Sequence, residues 1–374
     1  MELNFSNIKY KEKASRSKGY ANIDSNHTVE EAFYLLISGV RKEDLSYFCE
    51  KIKEDLEESE IILSVDECYE LTQGTLDEKK MEKVSGKIEN IEKYFLDKAY
   101  ECIEKDGKHL GKNMVPGTKI NTSSWISHSL YEAKATQELA NILGLNEEKA
   151  GVLGILHDFG RKYIHDFTHV TRGYEALIDL GWEDEARACL IHSFINAGRC
   201  ANCDPAEPGF YIDKNGNPAW EESAKRDDIA DVLDSLEYDD YDMVLNIADL
   251  MATDSGIVSP YDRVQDVATR KKPDVKNRGY FLSEFTNKLM KVLKIVKSDY
   301  LIEEVNPLMD LEELNSRFAK VSQEFYDAYL NQRTKSMKDL LKEAIEVKPT
   351  SHEVFDEEKS DRNMDKSIEE IDDN

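Results

Sequence analysis

The stretch Gly-Val-Leu-Gly-Ile-Leu-His-Asp-Phe, residues 151 to 159, decides the fold that we expect for this chain. From Gly151 to Leu156, every residue other than the two glycines has an apolar side chain. A helix that is apolar on almost every side belongs in a protein core. His157 and Asp158 stand side by side where Gly160 is expected to end this helix. An imidazole and a carboxylate at a buried helix end are costly unless they are paired or bound to metal.

Helical patterns continue on both sides of this stretch, and strand patterns are nearly absent. Three pairs have the spacing of capping boxes: Thr28 with Glu31, Ser64 with Glu67, and Thr75 with Glu78. From Met81 to Cys102, apolar residues recur every three or four positions, which predicts one long surface helix. We therefore expect an all-α fold with a helical N-terminal region and C-terminal helices.

Changes in composition along the chain predict four parts. We expect an N-terminal helical region over 1–112, a metal-binding helical domain over 113–300, C-terminal helices over 301–348, and a disordered acidic tail over 349–374. A loop over 196–223 interrupts the second part, and it is longer than most loops in compact domains. Its glycines, prolines and aromatic residues predict a lid that governs substrate choice.

Charge and cysteine content restrict the class of protein. The formal net charge is −27, which disfavours duplex nucleic acid and anionic membranes as partners. No apolar stretch approaches the ~20 residues that a membrane span requires. The six cysteines are scattered, and the first residues lack the pattern of a secretory signal, so we expect reduced thiols and a cytoplasmic protein.

The histidines give the strongest indication of chemistry. Of eight in the chain, five fall between residues 128 and 192. His128, His157 and His192 each occupy an apolar helical pattern or its end. Imidazole nitrogens together with carboxylate oxygens suit manganese, iron, cobalt or zinc, and we keep magnesium as a further option. The sequence therefore predicts a site for one or two divalent metal ions.

The order of these residues resembles the HD-domain superfamily of metal-dependent phosphohydrolases. His128 lies in Ser-His-Ser-Leu, His157-Asp158 in Gly-Ile-Leu-His-Asp-Phe-Gly-Arg, and Asp249 in Asn-Ile-Ala-Asp-Leu-Met. The resemblance covers about residues 120 to 260. It implies an all-helical bundle whose metal is bound by these four side chains, and a small phosphorylated substrate such as a nucleotide.

The resemblance also implies roles for neighbouring residues. His169 and His192 lie where binuclear members of the superfamily place two further histidines. Asp158 is the natural bridging ligand, because its two carboxylate oxygens can each face one ion. Arg161 and Lys162 follow directly and could hold substrate phosphate, since arginine can do so with two parallel hydrogen bonds. The alternative for these two basic residues is a solvated basic turn or ion pairs to nearby acids.

Several alternatives remain open at the level of sequence. His165-Asp166 repeats the letters of the site in a polar segment, where we do not expect a metal ligand. Cys200 and Cys203 offer only two of the four ligands of a structural zinc, with Cys189 as a possible third, so free thiols or a reversible disulfide are favoured. A binuclear-iron oxygenase of HD-like type and a catalytically silent scaffold are the two competing functions. The oligomeric state is open, and a homo-oligomer is compatible with the sequence.

Overall fold

The structure is a computed structural model that describes residues 18–111, 124–164, 169–195, 210–212, 218–220, 232–233, 235–271, 278–301 and 303–346. Four features discussed above lie outside these residues: His165-Asp166, the Cys200/Cys203 pair, most of the loop over 196–223, and the tail over 349–374.

The fold is all-α, as predicted, and the described residues include one pair of three-residue strands. The N-terminal helices are α1 (Val29–Ile37), α2 (Lys42–Glu58), α3 (Val65–Thr72), α4 (Glu78–Ser85) and α5 (Ile91–Tyr100). The central helices are α6 (Trp125–Leu143), α7 (Glu147–Leu156), α8 (His169–Asp179), α9 (Arg187–Ile191) and α10 (Asp240–Asp249). The later helices are α11 (Pro260–Lys271), α12 (Arg278–Val296) and α13 (Leu311–Glu346). The strands β1 (Phe210–Ile212) and β2 (Pro218–Trp220) pair antiparallel, with Phe210 opposite Trp220.

Side-chain caps fix where several of these helices begin. Two of the three predicted capping boxes are confirmed: Thr28 and Ser64 accept from the backbone N–H three residues later, and Glu31 and Glu67 accept from the cap backbone in return. The third is wrong, because Asp77 and not Thr75 caps α4. The prediction of one helix from Met81 to Cys102 is wrong. α4 ends at Ser85 before Gly86, and the Asn90 side chain accepts from Lys93 N–H to start α5. Glycine disfavours helix interiors and asparagine favours N-caps, so the local chemistry overrides the apolar rhythm.

Helices α6 and α7 pack closely, and this contact positions His128 and His157. Gly144 ends α6 with a φ of 69°, and the Asn146 side chain caps α7. A Cβ placed on Gly154 would lie only 2.7 Å from the Ala133 Cα, so a glycine is required where the two helices touch. The N-terminal half of α6, which carries His128, is thereby held beside the C-terminal end of α7, which leads into His157.

The chain forms two compact units, residues 1–329 and 330–374. In the first unit, one hydrophobic core joins the N-terminal helices to α6 through α9. A second core joins α10, α12 and the first half of α13. Among the described residues of the second unit, the end of α13 is the only helix. No helix in the described ranges combines the length and apolar character needed to cross a membrane.

Candidate metal centre

Helix ends bring the polar side chains of the site together. His128 lies in the first turn of α6, His157 caps the C-terminus of α7, and Asp158 follows it. His169 begins α8 and His192 caps the C-terminus of α9. Asp249, the last residue of α10, has a side chain that is 30% exposed, whereas the other five side chains are buried. The site is therefore enclosed, with Asp249 at its most accessible edge.

Four side chains form a first ligand cluster, which we name cluster 1: His128, Glu132, His157 and Asp249. The His128 and His157 Nε2 atoms are 3.2 Å apart, and Asp249 Oδ1 lies 3.3 Å from His128 Nε2. Glu132 Oε2 lies 2.9 Å from His157 Nε2 and 3.4 Å from His128 Nε2. Two imidazole nitrogens and two carboxylates thus face one small volume.

Three side chains form a second cluster, cluster 2: Asp158, His169 and His192. Asp158 Oδ1 lies 2.9 Å from His169 Nε2 and 3.7 Å from His192 Nε2, and the two imidazole nitrogens are 3.3 Å apart. The other carboxylate oxygen, Asp158 Oδ2, lies 3.5 Å from His157 Nε2 and 4.0 Å from His128 Nε2 in cluster 1. The Asp158 carboxylate therefore lies between the clusters, one oxygen toward each.

A close backbone contact brings His169 to Asp158. The turn Phe159–Lys162 crosses the start of α8, and a Cβ on Gly160 would lie 1.9 Å from the His169 carbonyl oxygen and 2.7 Å from the Gly173 nitrogen. Only a glycine fits at this crossing. The expectation that Gly160 ends the core helix is wrong, because α7 ends at Leu156 and Gly160 lies inside the following turn. Its role is to let α8 approach Asp158, the residue that follows His157.

The spacing and tautomers of these groups fit a divalent metal. Metal–nitrogen bonds of ~2.1 Å at tetrahedral or octahedral angles place neighbouring ligand atoms about 3.0 to 3.4 Å apart, as several of these atoms are. His157 Nδ1 faces the Gly154 carbonyl at 2.8 Å, and His192 Nδ1 faces the Ala188 carbonyl at 3.3 Å. A proton on each Nδ1 leaves Nε2 with a lone pair toward its cluster, which is the usual arrangement of a metal-binding histidine.

Burial and mutual charge shift the pKa values of these groups strongly. Burial alone would lower the pKa of His157, but the adjacent Glu132 and Asp158 carboxylates raise it well above its usual value. Burial raises the pKa of Glu132 well above normal and lowers the pKa of His192 to about 3. Burial opposes ionisation of Asp158, yet Arg161 and the nearby histidines hold its pKa well below its usual value. A cation at the clusters would replace the protons that otherwise hold these groups together.

The two basic residues after Asp158 point in different directions. Arg161 Nε donates to Asp158 Oδ2 at 2.5 Å, and its side chain is 25% exposed. Lys162 Nζ donates instead to the Leu35 carbonyl at the end of α1, at 3.0 Å, and burial lowers its pKa to about 8. Arg161 thus belongs to the site, and Lys162 connects this turn to the N-terminal helices.

Glu132 was missed in the sequence, although a signal for it exists. It lies four residues after His128 on α6, and residues at that spacing share one face of a helix. The stretch His-Ser-Leu-Tyr-Glu therefore offers two ligand types on the same side. Many exposed helices contain a similar pair, so only the burial of both residues makes the pattern informative.

Comparison with known proteins identifies the central segment. The model of the HD domain family matches residues 125–254, which run from the start of α6 to just beyond Asp249 and include both clusters. No curated protein and no solved structure gave a match to the chain.

Proposed function

We propose, from the membership of residues 125–254 in the HD-domain superfamily, that this chain is a metal-dependent phosphohydrolase acting on a nucleotide or another small phosphate ester. Membership in the superfamily itself implies a metal-dependent hydrolase. The observation that carries the finer proposal is the position of Asp158 between two histidine-bearing clusters. A carboxylate shared in this way is suited to two ions that act on one phosphoryl group.

Each cluster would hold one divalent ion, with Asp158 shared between them. Such ions, when bound, lower the pKa of water and neutralise charge on phosphoryl oxygens. The chain's own groups orient the ligands. The Gly154 and Ala188 carbonyls fix the tautomers of His157 and His192. Arg161 holds Asp158 Oδ2 and restricts rotation of the shared carboxylate. Asp249 marks the accessible edge, from which we expect the substrate to enter.

Arg161 is the residue that we propose for contact with substrate phosphate. Its guanidinium is anchored at Nε by Asp158 and is partly exposed, so it can face an incoming anion next to the clusters. A guanidinium suits phosphate because it presents several N–H groups in a planar fork. We do not extend this role to Lys162, whose ammonium group caps the C-terminal end of α1.

Phosphate release from a substrate panel tests the proposed function. The purified chain, loaded with Mn²⁺, Co²⁺, Zn²⁺ or Fe²⁺, would be offered nucleoside mono-, di- and triphosphates and simple phosphate esters. We expect release from at least one substrate class, its loss with EDTA, and its return with added metal. A metal-loaded protein inactive on every substrate would contradict the proposal. Oxygen consumption by the iron-loaded protein, without phosphate release, would favour the oxygenase.

His192→Ala tests whether cluster 2 holds its own ion. Cluster 2 would keep only Asp158 and His169, too few ligands for tight binding. We expect elemental analysis to fall from close to two ions per chain to close to one. His109→Ala is a matched control, because His109 faces the Asp254 carbonyl and belongs to neither cluster. A wild-type content of one ion, unchanged in His192→Ala, would limit the site to a single metal.

A further inference from the structure

Glu132 is a buried carboxylate whose charged neighbours are the histidines of the proposed metal site. Its side chain is fully buried on α6, and among the described residues its oxygens have no hydrogen-bond partner outside the histidines of the proposed site. Its closest polar neighbours are the Nε2 atoms of His157 and His128, at 2.9 and 3.4 Å. Both nitrogens belong to the proposed metal site. A carboxylate is costly to bury without a compensating charge, so this position calls for a cation or a proton.

Glu132, together with Asp249, makes the two clusters unequal in charge. Cluster 1 has two imidazoles, the carboxylates of Glu132 and Asp249, and a share of Asp158. Cluster 2 has two imidazoles and its share of Asp158 alone. The attraction between a divalent cation and a carboxylate is strong where water is scarce, so the additional carboxylates favour binding at cluster 1. Carboxylate-rich sites also suit manganese and magnesium better than imidazole-rich sites do.

The burial of Glu132 favours a role as a metal ligand over a role in proton transfer. The accessible edge of cluster 1 is at Asp249, whose side chain is 30% exposed, whereas Glu132 has no exposed surface. A general base must reach the proton that it removes, either directly or through one water. Because Glu132 has no exposed surface, we assign it a contribution of charge and coordination.

We propose that Glu132 is a metal ligand which makes cluster 1 the tighter position, so that cluster 1 fills first and the ion of cluster 2 exchanges more readily. The proposal rests on the proposed two-metal function, and it names the order in which the two positions load. It applies to a hard divalent ion such as Mn²⁺. A chain at limiting metal would then carry an ion in cluster 1 and lack the second one.

Calorimetric titration of chelator-treated protein with MnCl₂ tests this order. The wild type is expected to show two binding classes of about one ion each, separated at least ~10-fold in affinity. Glu132→Gln keeps the size of the side chain and removes its charge. We expect it to weaken the tighter class at least ~10-fold and to leave the weaker class within about twofold. His192→Ala should remove the weaker class and keep the tighter one.

A second carboxylate variant provides the matched control. Glu185 is also buried, but it pairs with Ser25 and His27, and it belongs to neither cluster. Glu185→Gln should leave both manganese classes unchanged. Glu132→Asp retains the charge on a shorter side chain and should bind more tightly than Glu132→Gln. Circular dichroism of each variant confirms that the helices are intact.

Several results would overturn the proposal. One is a wild-type titration with two manganese-binding classes of equal affinity. The others are a tighter class that is unchanged in Glu132→Gln and a tighter class that is lost in His192→Ala. If Glu132→Gln does not fold, the wild-type and His192→Ala titrations still decide the order of loading. The titration measures binding and does not depend on turnover. A chain that has two unequal manganese classes but releases no phosphate would therefore contradict the proposed function and support this inference.

Discussion

Asp158→Asn is expected to reduce metal-dependent phosphate release by on the order of 10³-fold or more. The substitution keeps the size of the side chain, but it removes the negative charge and leaves only one oxygen. Asp158 Oδ1 faces His169 in cluster 2 and Oδ2 faces His157 in cluster 1, so a single change weakens both proposed positions. It also removes the carboxylate that anchors Arg161.

The comparison requires activity, metal content and fold in the same preparations. Phosphate release, elemental analysis and circular dichroism should show loss of activity and of bound metal with helical content retained. Asp240→Asn is the matched control, since Asp240 pairs on the surface with Lys291 and belongs to neither cluster. Its activity should equal that of the wild type. Normal turnover in Asp158→Asn would show that Asp158 does not bridge the reacting centre.

The sequence predicted the gathering of histidines better than it predicted their surroundings. His128, His157 and His192 stand next to apolar runs or helix ends, which the sequence itself shows, whereas Asp249 and His169 were assigned through the resemblance to the HD-domain superfamily. Helix α8 begins at His169, and Gly173, a residue type that disfavours helix interiors, lies inside it where the helix crosses the Gly160 turn. Such a contact depends on which elements meet in space, so local propensity could not predict it.

The basic residues illustrate the same limit. Arg161 and Lys162 are adjacent and carry the same charge, so the sequence offered both for phosphate. In the folded chain one pairs with Asp158 and the other with the Leu35 carbonyl. Glu132 was overlooked for a related reason, because its value as a ligand depends on His157 arriving from another helix. Helix α11 was not predicted at all, and its mostly polar sequence explains why apolar rhythm did not reveal it.

Arg187→Ala is expected to lower the free energy of unfolding by about 3 to 5 kcal/mol, the usual effect of breaking a buried ion pair. Arg187 on α9 donates to Asp242 Oδ2 on α10 at 2.7 Å, and both side chains are almost completely buried. It also donates to the carbonyls of Glu237 and Lys18. Asp242 in turn accepts from Asp239 N–H in the capping box of α10. The variant therefore leaves a buried carboxylate and two carbonyls without this donor.

Urea denaturation followed by circular dichroism measures this loss. Arg317→Ala is the control, because Arg317 pairs with Glu313 on the exposed side of α13, and such surface pairs contribute about 1 kcal/mol or less. A loss below about 1 kcal/mol in Arg187→Ala would mean that the pair does not hold the two helices together. We expect Arg187→Ala to affect the metal centre as well, because α9 leads to His192 and α10 ends at Asp249. Each of these ligands belongs to a different cluster, so the variant should also bind manganese more weakly in both classes, although Arg187 contacts neither cluster.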